Sequence, residues 1–530
     1  MAKRDSFEFS YEQIEDALEC VKADAKRDIA VRHPLELGLI EDNKITDLAA
    51  IKASIDNGDF VPTDAPIVDA PKGKGLLRPA HQLAIRDQIV YAAIGRAILP
   101  YIGKDLPANH HVIDFAERIL NHPLAGQWFE RYFVPHQEFT RSSIHEAQNH
   151  EFVVVADISA FYENIGHAFL ISELRRIGVP GDIITLLRNC LRAWSNDTDR
   201  GIPQGFLTSD LLSKLYMLGV DERIIASGRT HKRYKDDVRI FCATEVEAKV
   251  ALKELNSLLR ERTLNVQSAK TGILKATDAI KDFEGFMPEV RAISDRLESE
   301  RERERIFTEI FNSQYVSVRE AMETQRDEGA FPIIVLEEAF ATHIAGNFGA
   351  SFNKSLFRFL LTNLGKAKNR AALSDALDRL KDYPQETTAI LGYAGRLVLD
   401  DDDYAKIYKF LESADSIYDF QVYEILEFLQ EHPPGDKARL LVLARRYAEH
   451  THPHFVRSVA RMILGDHGTA ADIERMHAEY REAQTDRARA EIVWAIRRLE
   501  RSRRNTLYAR AEKNGGLVEQ AVKKAKKEVP

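Results

Sequence analysis

The spacing of apolar positions divides the chain into a mixed front and a helical back. Ser10 is placed to cap a helix from Tyr11, in which Ile14, Ala17 and Leu18 fall at helical spacing. Residues 46–55 read as a second short helix. Residues 67–79 read as strand, glycine-rich turn and strand, residues 80–85 continue the strand, and an amphipathic helix begins at Arg86. Residues 103–150 look irregular, with a helix expected after Arg141-Ser-Ser143. Glu151-Phe-Val-Val-Val-Ala-Asp157 is an apolar run ending in a carboxylate, the pattern of a buried strand. Gly201-Ile-Pro-Gln-Gly205 is a rigid turn ahead of Ser209 and a long helix over 210–220. Over 231–241, Val238 and Ile240 alternate, giving two strands joined by a tight turn that carries Asp236 and Asp237. Residues 245–260 form a helix, 264–271 a closing strand with Lys270, and 283–286 a turn.

From about residue 292 the pattern changes. Residues 295–305 are densely and oppositely charged, as in a solvated helix or linker. Short helices then start near Asp402, Ser416, Asp436, His454, Thr469 and Thr485. Alternate starts recur at roughly 31–38 residues, the period of helix-pair repeats, so an α-solenoid is expected. The tail with Lys523, Lys524, Lys526 and Lys527 reads as frayed. The expected division is a helical segment over 1–60, two mixed units over 61–150 and 151–290, and an all-α region over 291–530.

Composition narrows the classes. The chain has 530 residues, is 44% hydrophobic and 29% charged, and fits a soluble protein of two or three domains. With a net charge of -8, any nucleic-acid binding must rely on local basic grooves. The three cysteines, Cys20, Cys190 and Cys242, show no metal spacing and suit a reducing compartment. There is no apolar signal core and no apolar run of about 18 residues, so a cytoplasmic protein without a membrane partner is expected. His110 and His111, and the trio His450, His452 and His454, lack partners at ligand spacing and read as structural.

The candidate chemistry is acidic. Adjacent carboxylates at Asp236 and Asp237 repel unless something neutralises them, and a divalent cation with oxygen ligands would do so. A solvated turn is the plainer alternative. Asp157, at a strand tip, is either functional or a helix cap. Lys72, Lys74 and Arg78 lie on a hairpin and can clamp a triphosphate or simply be solvated.

Taken in order, these pieces resemble a reverse transcriptase. Asp157-Ile-Ser-Ala-Phe-Tyr162 is similar to the family's first catalytic motif, Gly201 to Ser209 to its nucleotide-and-template motif, Tyr234-Lys-Asp-Asp237 to its YxDD box, and Lys270-Thr271 to the downstream lysine motif. Lys72 to Arg78-Pro79 and Arg86-Asp87 look like the fingers motifs of bacterial and group II intron enzymes. The resemblance covers about residues 60–290. It implies an α+β fold of polymerase fingers and palm, followed here by HEAT-like helical repeats in place of a thumb. It implies two Mg²⁺ ions, replaceable by Mn²⁺, held by Asp157, Asp236, Asp237 and the Ile158 carbonyl. Lys72, Arg78, Phe161, Tyr162 and Gln204 would contact the incoming dNTP, and Lys270 would give a proton to the leaving pyrophosphate. The partners implied are dNTPs and a nucleic-acid template or product, with room for copies of the chain to associate.

A palm followed by repeats resembles bacterial abortive-infection and other defence-associated reverse transcriptases. Some of these make DNA without an ordinary primer and attach it to themselves. Tyr11, among 17 tyrosines, is the first priming candidate, against the simpler reading that it packs beside its helix. An RNA-templated RNA polymerase is the enzymatic alternative, opposed by Tyr162 and by YxDD in place of GDD. A non-catalytic nucleic-acid-binding scaffold is opposed by the clustered acids, which cost stability without a cation.

Overall fold

In the computed structural model, which describes residues 7–27, 32–131, 133–311, 331–344 and 352–529, every strand lies in the front part of the chain. Two hairpins, β1 (Ile67–Lys72) with β2 (Leu76–His81) and β3 (Ile119–Leu124) with β4 (Gln127–Phe129), precede a four-stranded antiparallel sheet. That sheet is built from β5 (Phe152–Asp157), β6 (Thr230–Tyr234), β7 (Asp237–Cys242) and β8 (Gly272–Lys275), in the order β6-β7-β5-β8. Its strands alternate as a two-faced sheet should. Val154, Ala156, Val238 and Ile240 enter the main core, while Val153 and Phe241 pack on the other face with Ala147, Ala276 and Ala279.

Two helices run through the main core, α4 (Ile85–Asp105) and α9 (Leu207–Ala226), if the front helices are numbered from α1 (Tyr11–Asp24), α2 (Pro34–Asp42) and α3 (Lys44–Asp56). Between α4 and α9 come α5 (Phe133–Gln148), α6 (Phe161–Asn164), α7 (His167–Arg176) and α8 (Gly181–Trp194). Helices α4 and α9 bury residues around most of their circumference, as central helices do. Gly95 permits their close approach: a Cβ there would stand 2.7 Å from the Trp128 ring and collide with the Thr208 side chain. The Thr208 hydroxyl donates to the Tyr91 carbonyl at 2.9 Å, fixing their register. Ser10 caps α1 as expected, with a reciprocal bond from Gln13, and the apolar face of α1 joins the same core as β5 and β7.

The back half is all helical among the described residues. Helices Asp401–Glu412, Asp419–Glu431, Ala438–Tyr447, His454–His467, Ala470–Glu479 and Asp486–Ala495 begin within three residues of the starts read from the sequence. Alternate helices pack on one another, Asp419–Glu431 on His454–His467 and that on Asp486–Ala495, which is the arrangement of a helix-pair array. Ion pairs link successive repeats along one edge, among them Arg445 with Asp472 at 2.7 and 2.9 Å and Arg370 with Asp403 at 3.0 Å. The fold is thus α+β fingers and palm followed by an all-α array.

Several local expectations are corrected. Residues 103–150 are ordered into β3, β4 and α5, and Arg141-Ser-Ser143 lies inside α5. Pro123 within β3 obscured the strand period. The strand after the glycine turn stops at His81, and α4 starts at Ile85 because the Glu36 carboxylate, far away in sequence, accepts the Ile85 N–H at 3.1 Å. Residues 264–271 give only a bridge from Val266 to Ile158 and a 3₁₀ turn at Ser268–Lys270; the closing strand is β8. The lysine-rich tail is not frayed. It forms the helix Gly516–Glu528, which buries Val518, Ala521, Val522 and Ala525 against Asp486–Ala495 and α2.

The hairpin β1–β2 takes its support from the array, since Val68, Ala70 and Ala80 are buried in the array's core. Truncation after Glu300 is therefore expected to speed amide exchange across residues 67–81 by roughly tenfold or more while β5 and β7 stay protected. Hydrogen-exchange mass spectrometry of full-length and 1–300 chains checks this, and unchanged protection of the hairpin would count against it.

Candidate active site

Strand β5 ends on Asp157, whose Cα faces that of Asp237 across the β5–β7 ladder. The β6–β7 turn places Lys235 and Asp236 beyond them, with Lys235 in the left-handed region at φ 55°. Such a conformation in a lysine costs free energy and needs support from its surroundings. The Ile158 N–H donates to the Asp236 carbonyl at 3.1 Å, and the Gln267 N–H to the Asp157 carbonyl at 2.6 Å. The Arg233 guanidinium holds the turn from inside, donating to the Lys235 carbonyl at 3.0 Å.

Arg233 is itself buried and bonded to Asp221 at 2.7 Å and Asp114 at 2.8 Å. Lys214 reaches Asp114 at 2.6 Å, and His110 and His231 reach Asp221 at 3.3 and 3.1 Å. Burial would push both carboxyls up, but the surrounding cations and hydrogen bonds outweigh it and hold them below the usual range. His110, Asp114 and Asp221 are the one group among the described residues with three ligand-type atoms mutually within 4.8 Å. Their acceptors already face two cations, so a further positive ion gains little there. The group is better read as a charge-balanced scaffold beneath the turn, with His110 bonded to Asp221. Sequence reading missed Arg233, Asp221, Asp114 and Lys214. The available signal was charge inside the otherwise apolar helix α9, where Lys214 and Asp221 sit at buried positions.

The acids at the sheet end are not balanced in this way. Asp237 bonds Arg239 at 3.1 Å, and that guanidinium lies between the Phe139 and Phe283 rings at 4.0 and 3.8 Å. Asp157 accepts from Lys270 Nζ at 3.0 Å. Asp236 has no hydrogen bond or ion pair from another side chain among the described residues. Burial raises its carboxyl pKa, and the charge on Asp157 raises it further; Asp237 is raised by burial too, against the pull of Arg239. Three carboxylates, with Asp236 unneutralised among them, make a donor set that fits hard divalent cations. Asp157, Ile158, Asp236 and the carboxylate of Asp237 would hold them.

Around this group the structure assembles further candidates. Phe161 and Tyr162 open α6 after Ala160 turns the chain at φ 46°, and both rings are buried. The Tyr162 hydroxyl donates to Asp210 at 2.5 Å, and its carbonyl accepts from the Ile202 N–H at 3.0 Å. The Gly201 N–H donates to the Ile165 carbonyl at 2.9 Å, so the turn bearing Gln204 is stitched to α6. Gly201, at φ 89°, passes so near Glu163 that a Cβ would lie 3.3 Å from its carbonyl oxygen. Gln204 is half-buried and free of hydrogen bonds among the described residues.

Lys72 and Arg78 sit on the β1–β2 hairpin, exposed and half-buried, without ion pairs among the described residues; no contact there joins them to the acids. Tyr11 is half-buried at the start of α1 and packs on the front core rather than standing free. In the array, the His452 ring tilts against the Tyr447 ring with centroids 4.9 Å apart, His450 lies 3.9 Å from Glu482, and His454 lies 3.4 Å from Glu491. The three cysteines are free and buried, and no helix among the described residues is long and apolar enough to cross a membrane.

Residues 70–294 match the family model described as reverse transcriptase (RNA-dependent DNA polymerase). That segment is similar to a reverse transcriptase domain. Among individual proteins, the chain is similar to Protein YkfC of Escherichia coli (strain K12), 25% identical over 197 residues, 36% of this chain. The match spans 46% of YkfC, so the chain covers about half the length of that relative. A solved structure of telomerase from Candida albicans, in complex with a fragment of telomeric RNA, aligns over 75% of this chain and 66% of its own, with 11% identity and a TM-score of 0.30.

The raised carboxyl of Asp236 has a sign that can be measured. Its folded pKa lies above the unfolded one, so ionisation costs folding stability: the penalty is absent at low pH, grows as pH rises past the unfolded value near 3.9, and is full above the folded value. Asp236→Asn is expected to raise Tm near neutral pH and to lose that advantage toward pH 3. Mg²⁺ should raise the Tm of the native chain more than that of the variant, because it binds the folded carboxylates. Thermal denaturation across pH, with and without Mg²⁺, decides both points.

Proposed function

We propose that the chain is a DNA polymerase that adds dNTPs by phosphoryl transfer, RNA-directed or template-independent. The observation that carries this reading is the register of Asp157 against Asp237, with unpaired Asp236 beside them in the β6–β7 turn, inside the segment that matches the reverse transcriptase family. Two Mg²⁺ ions bound there, or Mn²⁺ in their place, would supply Lewis-acid activation of the attacking hydroxyl and the leaving oxygens. The chain's own groups would position and neutralise. Asp157 and Asp236 supply the charge, and Asp237, restrained by Arg239, supports them. Lys270, 3.0 Å from Asp157, would donate to the leaving pyrophosphate. Lys72 and Arg78 would grip the triphosphate, Gln204 would contact nucleotide or template, and the Phe161–Tyr162 pair would line the sugar.

Template and product would lie along the array, whose repeats stand where a thumb is otherwise found. A palm followed by helix pairs is also what supports a role in bacterial antiviral defence of the abortive-infection type, in the cytoplasm. RNA synthesis is the weaker alternative, because Tyr162 stands where an aromatic would obstruct a 2′-hydroxyl.

Purified protein with Mg²⁺, labelled dNTPs and nucleic-acid templates tests the proposal. Incorporation should fall on the order of 10³-fold or more in Asp157→Ala and in Asp236→Ala. Activity like that of the native chain in either variant would refute the assignment. Run without primer and denatured on a gel, the same reaction tests self-priming. Label that stays with the polypeptide until nuclease treatment, and that is lost in Tyr11→Phe, would make Tyr11 the primer; label found only in free DNA would exclude it.

A further inference from the structure

Asp210 has no counterpart in the chemistry described so far. It lies in the first turn of α9, 4% exposed, and three groups from three distant segments converge on it. The Tyr162 hydroxyl donates to one oxygen at 2.5 Å, and Lys235 Nζ reaches the same oxygen at 3.1 Å. Arg27 Nη1 takes the other at 2.6 Å. Burial would raise this carboxyl, but Lys235 and Arg27 outweigh it and keep it ionised. Lys235 extends the network to Glu117 at 2.6 Å, and Arg27 lies 3.3 Å from Asp24, which caps α9 through the Leu207 N–H at 3.0 Å.

We infer that Asp210 is a specificity-setting clamp: it fixes the Tyr162 ring at the sugar position and ties that ring to the catalytic turn through Lys235 and to the N-terminal segment through Arg27. The inference rests on the polymerase reading only for what the ring faces. Tyr162 is held at its carbonyl by Ile202 and at its hydroxyl by Asp210, so the ring is fixed at both ends. A ring pinned in one rotamer excludes a 2′-hydroxyl sharply, whereas one free at its outer end can move aside. Lys235 is the variable residue of the YxDD box, and its side chain is turned inward onto Asp210 and Glu117 rather than toward solvent.

The test compares two sugars on the same protein, because a loss of folded molecules lowers both affinities equally and leaves their ratio unchanged. Binding of dATP and of ATP is measured by competition against fluorescent dATP, with Ca²⁺ in place of Mg²⁺ to prevent turnover. The native chain should prefer dATP. Tyr162→Phe, which removes only the hydroxyl, and Asp210→Asn should each lower that preference by roughly tenfold. The double variant should be no lower than Asp210→Asn, since both changes cut one contact. An unchanged preference in Tyr162→Phe, effects that multiply in the double variant, or equal binding of the two nucleotides by the native chain would overturn the clamp. Incorporation with Mg²⁺ is scored separately: a protein that shows the sugar preference and its loss in the variants, yet incorporates nothing, would keep the clamp and sink the polymerase reading.

Discussion

Like charges crowded at one end of a small sheet set the terms for everything near it. Asp157, Asp236 and Asp237 approach because β5 and β7 pair in a register fixed by the apolar faces of both strands. A slip of one residue would turn Val154, Ala156, Val238 and Ile240 out of the core, so the core holds the acids in place against their repulsion. The scaffold of Arg233, Asp221, Asp114 and Lys214 beneath the turn is the counterpart: there every charge has an opposite within hydrogen-bond distance. One cluster is neutral and rigid; the other is left electrically incomplete. That contrast, more than the acids alone, separates a site for a cation from a structural ion pair.

The parts legible in the sequence were those with a local cause. The run Phe152-Val-Val-Val-Ala-Asp157, the alternation around Asp236 and the capping serine at α1 each carry their signal within a few residues, and the structure has them where they were read, except that Asp237 opens β7 and only Asp236 stays in the turn. Helix starts in the array were legible for the same reason: Thr469 and Thr485 accept from the backbone three residues on. What was missed depends on distant partners. The start of α4 is set by Glu36, and the last helix is held by α2 and by Asp486–Ala495, so neither end announces itself locally. The Asp210 network draws on residues 27, 162 and 235 and leaves no spacing to detect.

The hairpin bearing Lys72 and Arg78 belongs by sequence to the front half and by burial to the back. Val68, Ala70 and Ala80 share a core with the array, while the front core takes in α1. The boundary of folding units therefore does not follow the boundary of motifs, and the matched segment of 70–294 begins inside a strand whose apolar face is covered by residues outside that segment.

Glu36 makes this interdependence a matter of time. One of its oxygens caps α4 and the other receives Arg487 at 2.8 Å, across 451 residues of chain. Asp42 and Asp47 likewise bond Lys524 and Gln520. During synthesis at about 5–20 residues per second, the start of the chain emerges roughly twenty seconds to a minute and a half before its partners exist. In the later part of that interval, once β8 has been made, the front half has its sheet but not the contacts that close the molecule on itself. Closure of so long a loop is slow for topological reasons alone. A chain interrupted late in translation would thus carry every catalytic motif and still lack the last grip on its own N-terminal segment.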